Sequence, residues 1–254
     1  MPEQEIHVPL WLLVALQAAV SGVSLVVEIV AGRMLAPYVG MSLYTWTSII
    51  AVVLAGFSAG HWWGGHIAER PPRQALAASG RIMLAAAVST AGALILLRLI
   101  GGPVLASVDH PVLAIVLLTF CVFFLPSLFA GVPAPVLAQI AVAKQGARSG
   151  RSLGAMFAAG AVGAIGGTLA AGFVFIPWLG TALTLAIVTV IYLASAAVLL
   201  WLSRPVRHGF VTLSLLTLAV GLGGVSATRL DSCTTESQYF CIRVLDVSAD
   251  TRSP

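Results

Sequence analysis

The chain has 254 residues, 59% of them hydrophobic and only 9% charged, with a mean hydropathy of +1.02. An ordinary soluble domain carries roughly 25% charged residues, so a soluble fold would lack the polar surface needed to cover this much apolar side chain. The net charge of +4 does not mark a nucleic-acid surface, because Lys and Arg occur singly or in pairs between apolar stretches and form no basic stripe. The composition is that of an integral membrane protein, whose first partner is the lipid bilayer.

A membrane-crossing helix needs about 20 mostly apolar residues. Seven stretches meet that criterion, at 8–35, 43–66, 82–100, 112–143, 153–179, 182–202 and 210–227, which predicts an all-α membrane domain over residues 1–227. The first stretch is not a cleavable signal peptide. Residues 1–7 contain no Lys or Arg, and the apolar run exceeds the usual length of such a segment.

Basic residues set the expected orientation. Arg70, Arg73 and Arg81 fall between stretches two and three, Lys144, Arg148 and Arg151 between four and five, and Arg204 and Arg207 between six and seven. The positive-inside rule makes those loops cytoplasmic. The opposite loops hold only Arg33 and Arg98, so the amino terminus is expected inside and, after an odd number of crossings, the carboxyl tail outside.

Glycines mark where helices can approach closely. The second stretch carries Gly56, Gly60 and Gly64 at four-residue spacing, and the fifth carries Gly160, Gly163, Gly166 and Gly167. The face on the fifth stretch predicts tight packing within one subunit or, alternatively, dimerisation. The fourth stretch contains Pro126, Pro133 and Pro135 with Gly131 beside them, and is expected to kink or break. Trp46, Trp62, Trp63, Trp178 and Trp201 sit towards stretch ends, as interfacial anchors do. Cys121 reads as a buried apolar residue of the fourth stretch.

After Ala227 the character changes. Residues 228–254 are polar, with the alternating run Tyr239 to Leu245 predicting a β-strand at the start of an extracytoplasmic tail. Cys233 and Cys241 lie there, either as a disulfide in an oxidising compartment or as two free thiols.

Several segments, in order, resemble membrane-bound spermidine synthase-like proteins of bacteria, fusions of a transporter-like bundle to an aminopropyltransferase-like domain. They are EIVAGRMLAPYVG from Glu28 to Gly40, SLYTWTS from Ser42 to Ser48, the Leu125-Pro126 to Pro135 region, Gly150-Arg151, and GAIGGTLAAGFVFIPWLG from Gly163 to Gly180. The tail segment CTTESQYFCIRV from Cys233 to Val244 is similar to the opening hairpin of that family's synthase-like domain, and the resemblance implies a branch in which the two cysteines pair. Gly65 to Arg73 is similar to the loop between spans two and three of major facilitator transporters, with Glu69 at the acidic position. Together these imply a seven-helix, half-major-facilitator-like bundle in the bacterial cytoplasmic membrane.

Among the three carboxylates between Val8 and Ala227, Glu28, Glu69 and Asp109, only Glu28 interrupts an apolar run. An acid there needs a partner or a function. Arg33 and Arg98 are its nearest opposite charges in depth, which predicts a structural ion pair or, alternatively, a binding or proton-relay site. His61 and His66 are five residues apart, on different helix faces, so no metal site is expected, and no cofactor is expected either. The chain shows no Gly-rich nucleotide loop after a strand and no acid pair for deprotonating an amine, so it is expected not to catalyse aminopropyl transfer. Three roles remain open: a non-catalytic domain that anchors or partners a synthase-like domain, a transporter or channel for small cations such as polyamines, and an accessory subunit of a larger membrane complex.

Overall fold

The computed structural model describes residues 8–143, 149–203, 210–229, 235–236 and 241–242. They form a helical bundle: α1 (Leu10–Val39), α2 (Leu43–Ala68), α3 (Pro72–Ser107), α4 (Pro111–Gly131), α5 (Pro133–Ala143), α6 (Ser149–Ala170), a π-helical segment (Ala171–Phe175), α7 (Ile176–Leu202) and α8 (Phe210–Arg229). Five helical runs are long and apolar enough to cross a membrane: Leu10–Val39, Leu43–Ala68, Pro72–Ser107, Pro111–Ala143 and Ser149–Leu202. The chain is thus a multi-pass, all-α membrane protein, since only structures that satisfy their own backbone hydrogen bonds survive in lipid.

The longest run, 54 residues, would be about 80 Å long if straight, far more than a bilayer spans. It turns at Gly180, whose φ of 72° and ψ of −179° leave the helical region in a conformation that glycine adopts without steric cost. In α8 the apolar part is shorter, Ser214–Val225. Helix α3 begins ten residues before the predicted stretch, because the Pro71-Pro72 pair is a helix start and not a loop: Pro72 occupies the first turn, where a missing N–H costs nothing. Arg73 and Arg81 therefore lie on α3. Cys121 is exposed on the outside of the bundle, not buried as its apolar surroundings predicted.

Two helix pairs are joined backbone to backbone. On α1 and α6, a Cβ added at Gly163 would overlap the Ala18 carbonyl and one at Gly167 the Gly22 carbonyl. Residue numbers rise together along both helices, so the pair is parallel. On α2 and α4, Gly56 faces Ser127, Gly60 faces Leu128, and Gly64 faces Val132 and Pro135, again parallel. Helix α3 lies antiparallel to α7, with Gly80 against Leu200 near opposite helix ends, and parallel to α1, with Gly101 against Tyr38. Gly223 of α8 lies beside Thr189 of α7, thirteen residues after the start of one and thirteen before the end of the other (223 − 210 and 202 − 189). Chain direction thus alternates from one long segment to the next.

Exposed tryptophans collect at helix ends. Trp11, Trp62, Trp63 and Trp201 lie towards the end of the bundle where α1 begins, and Trp178 at the Gly180 turn. Trp46 is half-buried against Gly32. Beyond α8 the described residues form one antiparallel pairing, β1 (Thr235–Glu236) with β2 (Cys241–Ile242), Thr235 opposite Ile242 and Glu236 opposite Cys241. Cys233 lies outside the described residues, and so does the expected disulfide.

The α1–α6 contact predicts a sharp contrast between adjacent glycines. Gly167→Ala forces the two backbones apart and is expected to cost about 1–3 kcal/mol. Gly166→Ala, pointing into open space, stays within about 0.5 kcal/mol. The denaturation midpoint in mixed detergent and dodecyl sulfate micelles checks this.

Candidate functional site

Helix α1 is apolar except along one line. Gln17, Ser21, Ser24 and Glu28 recur at spacings of four, three and four, which at 100° per residue keeps them within an arc of about 60°. The first three border an open cleft with a volume of about 280 Å³. Across it stand Phe57 and His61 of α2, while Ala130 and Gly131 at the end of α4, Ala134 of α5, and Gly160 and Ala164 of α6 complete the walls. The cleft therefore lies between the two glycine-joined pairs, α1/α6 on one side and α2/α4 on the other.

Its depth follows from helix rise. Gln17 is seven residues from the start of α1 and His61 seven from the end of α2, each about 10 Å inside the same end of the bundle. Gly160 leaves room for Gln17, since a Cβ there would come within 3.2 Å of the amide nitrogen.

Hydrogen bonds fix part of the line. Gln17 Nε2 donates to Ser21 Oγ at 3.3 Å. Ser24 Oγ donates to the Val20 carbonyl at 2.7 Å, which uses its only proton, so the contact of 3.2 Å with the fully buried Tyr192 hydroxyl of α7 has Tyr192 as donor. His61 bonds through its ring to the Phe57 carbonyl, leaving the other ring nitrogen as an acceptor when the ring is neutral. His66 is engaged separately, with Nδ1 at 2.9 Å from the Trp62 carbonyl. Among the described residues no group of His, Cys, Asp and Glu has a metal-holding arrangement.

Glu28 is half-buried one turn beyond Ser24 and Leu25. Its carboxylate forms no hydrogen bond or ion pair among the described residues. Arg33 lies five residues further, about 140° around the helix, and Arg98 is exposed on α3. Both are engaged in interactions, but the structure does not bring either to Glu28. The parallel register that sets Ala18 beside Gly163 and Gly22 beside Gly167 carries on to place the π-helical segment Ala171–Phe175 at the level of Glu28. Such segments recur at functional sites.

The fourth stretch is interrupted at Val132, which keeps helical angles, with Pro133 opening α5. Pro135 has no N–H to donate to the Gly131 carbonyl, and Gly131 is in the cleft wall. Gln17, Ser21, Ser24 and His61 were not singled out as a group by the sequence, although the spacing of the first three with Glu28 carried the signal.

Tyr192→Phe removes the donor to Ser24 while preserving the ring. It is expected to lower stability by about 0.6 kcal/mol, the average for a hydrogen bond between membrane helices, read from the detergent unfolding midpoint.

Compared with protein-family models, with curated proteins and with solved structures, the chain matches none.

Proposed function

We propose that this chain is a seven-crossing, half-major-facilitator-like membrane domain that anchors or partners an extracytoplasmic spermidine synthase-like domain and is itself non-catalytic. The observation that carries this reading is the passage from the last membrane helix into the β1–β2 pairing, inside the segment Cys233 to Val244 that resembles the opening of such a domain. Seven crossings draw support from the alternating chain direction and from the Gly180 turn, which divides the 54-residue run into two lengths suited to a bilayer.

Orientation draws support from charge. Arg70, Arg73 and Arg151 lie at the end of the bundle where α1 begins, and the positive-inside rule makes that end cytoplasmic. The tail then follows α8 on the other side of a bacterial cytoplasmic membrane. A second reading, a transporter or channel for small cations, is favoured by the cleft beside α1.

Alkaline phosphatase fused after Pro254 is expected to be active and green fluorescent protein at the same place dark, with the reverse outcome for fusions at Gln145. Cys233 and Cys241 are expected to be alkylated only after reduction. Purified from its own host, the chain is expected either within a polypeptide much heavier than 26.2 kDa or with a stoichiometric synthase-like partner. A fluorescent carboxyl terminus, or a chain of 26.2 kDa that purifies alone, overturns the reading.

A further inference from the structure

The line on α1 runs eleven residues from Gln17 to Glu28, about 16 Å along the helix, and reaches the middle of the bundle. In hydrocarbon an amide, hydroxyl or carboxylate without partners costs several kcal/mol. Only Ser24 is fully satisfied here. Among the described residues, Gln17 keeps its carbonyl oxygen and second N–H free and Glu28 its whole carboxylate. Polar groups in that state are stable when they face water or a polar ligand instead of lipid. Helical side chains lean towards the helix amino terminus, so Glu28 leans towards the turn of Ser24 and Leu25 that borders the cleft.

The opposite wall points the same way, independently of α1. His61 presents a ring nitrogen, and Gly131 a carbonyl that Pro135 cannot satisfy. Carbonyls freed at interrupted helices serve as cation ligands in membrane transporters. Among the described residues no Lys or Arg lines the cleft, which disfavours an anion.

We propose that the cleft is a binding site for a small organic monocation of the alkylammonium class, entering from the end of the bundle where α1 begins. Ser21, His61 and the Gly131 carbonyl accept its N–H bonds, and Glu28, about 10 Å further along α1 than Ser21 and beyond the lining, supplies negative charge at the inner end. Val20, Leu25 and Phe57 cover its apolar part. Among the described residues the polar line of α1 carries one carboxylate, so a dication or trication would leave a positive group uncompensated. The site goes beyond the anchoring role and does not depend on it.

The test places a thiol in the cleft of the full chain, with Cys121, Cys233 and Cys241 replaced by serine. Ser21→Cys, close in size to serine, is treated in membranes with a permanently charged trimethylammonium methanethiosulfonate and with its sulfonate counterpart. The cationic reagent is expected to be favoured roughly tenfold more than with a free thiol in solution, as in clefts of one charge sign. That preference falls to the free-thiol value in Glu28→Gln and persists in Glu28→Asp. Millimolar n-butylammonium slows the cationic reaction several-fold, and n-butanol does not. Gln17→Cys serves if Ser21→Cys does not fold. Failure of both reagents to reach either thiol, a preference unchanged by Glu28→Gln, or no protection by n-butylammonium overturns the proposal. None of these outcomes depends on where the tail lies or on its partner.

Discussion

Backbone contact at glycine is the constraint on which this bundle rests. Within lipid there is no hydrophobic drive to push helices together, because the tails are as apolar as leucine. What remains is close packing, and it is strongest where no side chain intervenes. Gly163 and Gly167 set α6 against Ala18 and Gly22 of α1, and Gly56, Gly60 and Gly64 set α2 against α4. Each contact joins two helices running the same way, so each pair contains segments that are not neighbours in sequence. The loops did not dictate these partnerships.

This pairing also explains why a cleft exists beside the polar line of α1. If α2 and α6 met directly, the line of Gln17, Ser21 and Ser24 would be sealed under apolar side chains, and the Gln17 groups not bonded to Ser21 would be shut away from water. Instead each of those helices is held by its own partner, and the space between the pairs stays open above α1. Tyr192, from α7, supports the line from behind by donating to Ser24. The π-helical segment that follows α6 brings irregular backbone to the level of Glu28. In a membrane such irregularity is tolerated where it lines a cavity or is covered by protein.

The apolar runs were legible because bilayer thickness fixes their length, and Glu28 because a charge in such a run is conspicuous. Faces were much less legible. Lipid and protein interior are equally apolar, so nothing in the sequence around Cys121 separated an outward residue from a core one. The start of α3 was not legible from hydropathy, because its first turns carry Arg73, Gln74 and Arg81 and lie outside the apolar stretch. Gln17, Ser21 and Ser24 were visible at helical spacing, but each alone is mild enough to pass as filler. His61 was weighed only against His66, its neighbour in sequence, whereas the groups it faces lie on α1, and that proximity is made by the fold alone.

The joint between α1 and α2 is short and firmly tied. Gly40 takes a φ of 71°, Ser42 caps α2 by accepting from the Thr45 N–H at 3.2 Å, and the Thr45 hydroxyl donates back to the Gly40 carbonyl at 3.0 Å. This joint lies at the far end of the bundle from the mouth of the cleft and connects one glycine-joined pair to the other. A rotation centred on this joint would have a long arm: from Ser42 to His61 is about 28 Å of helix. Turning α2 with α4 by 4° about the joint would shift His61 by about 2 Å without breaking either glycine contact. Such a turn would also slide α4 against α3 and α5 against α6, so the mouth of the cleft widens only as far as those contacts yield.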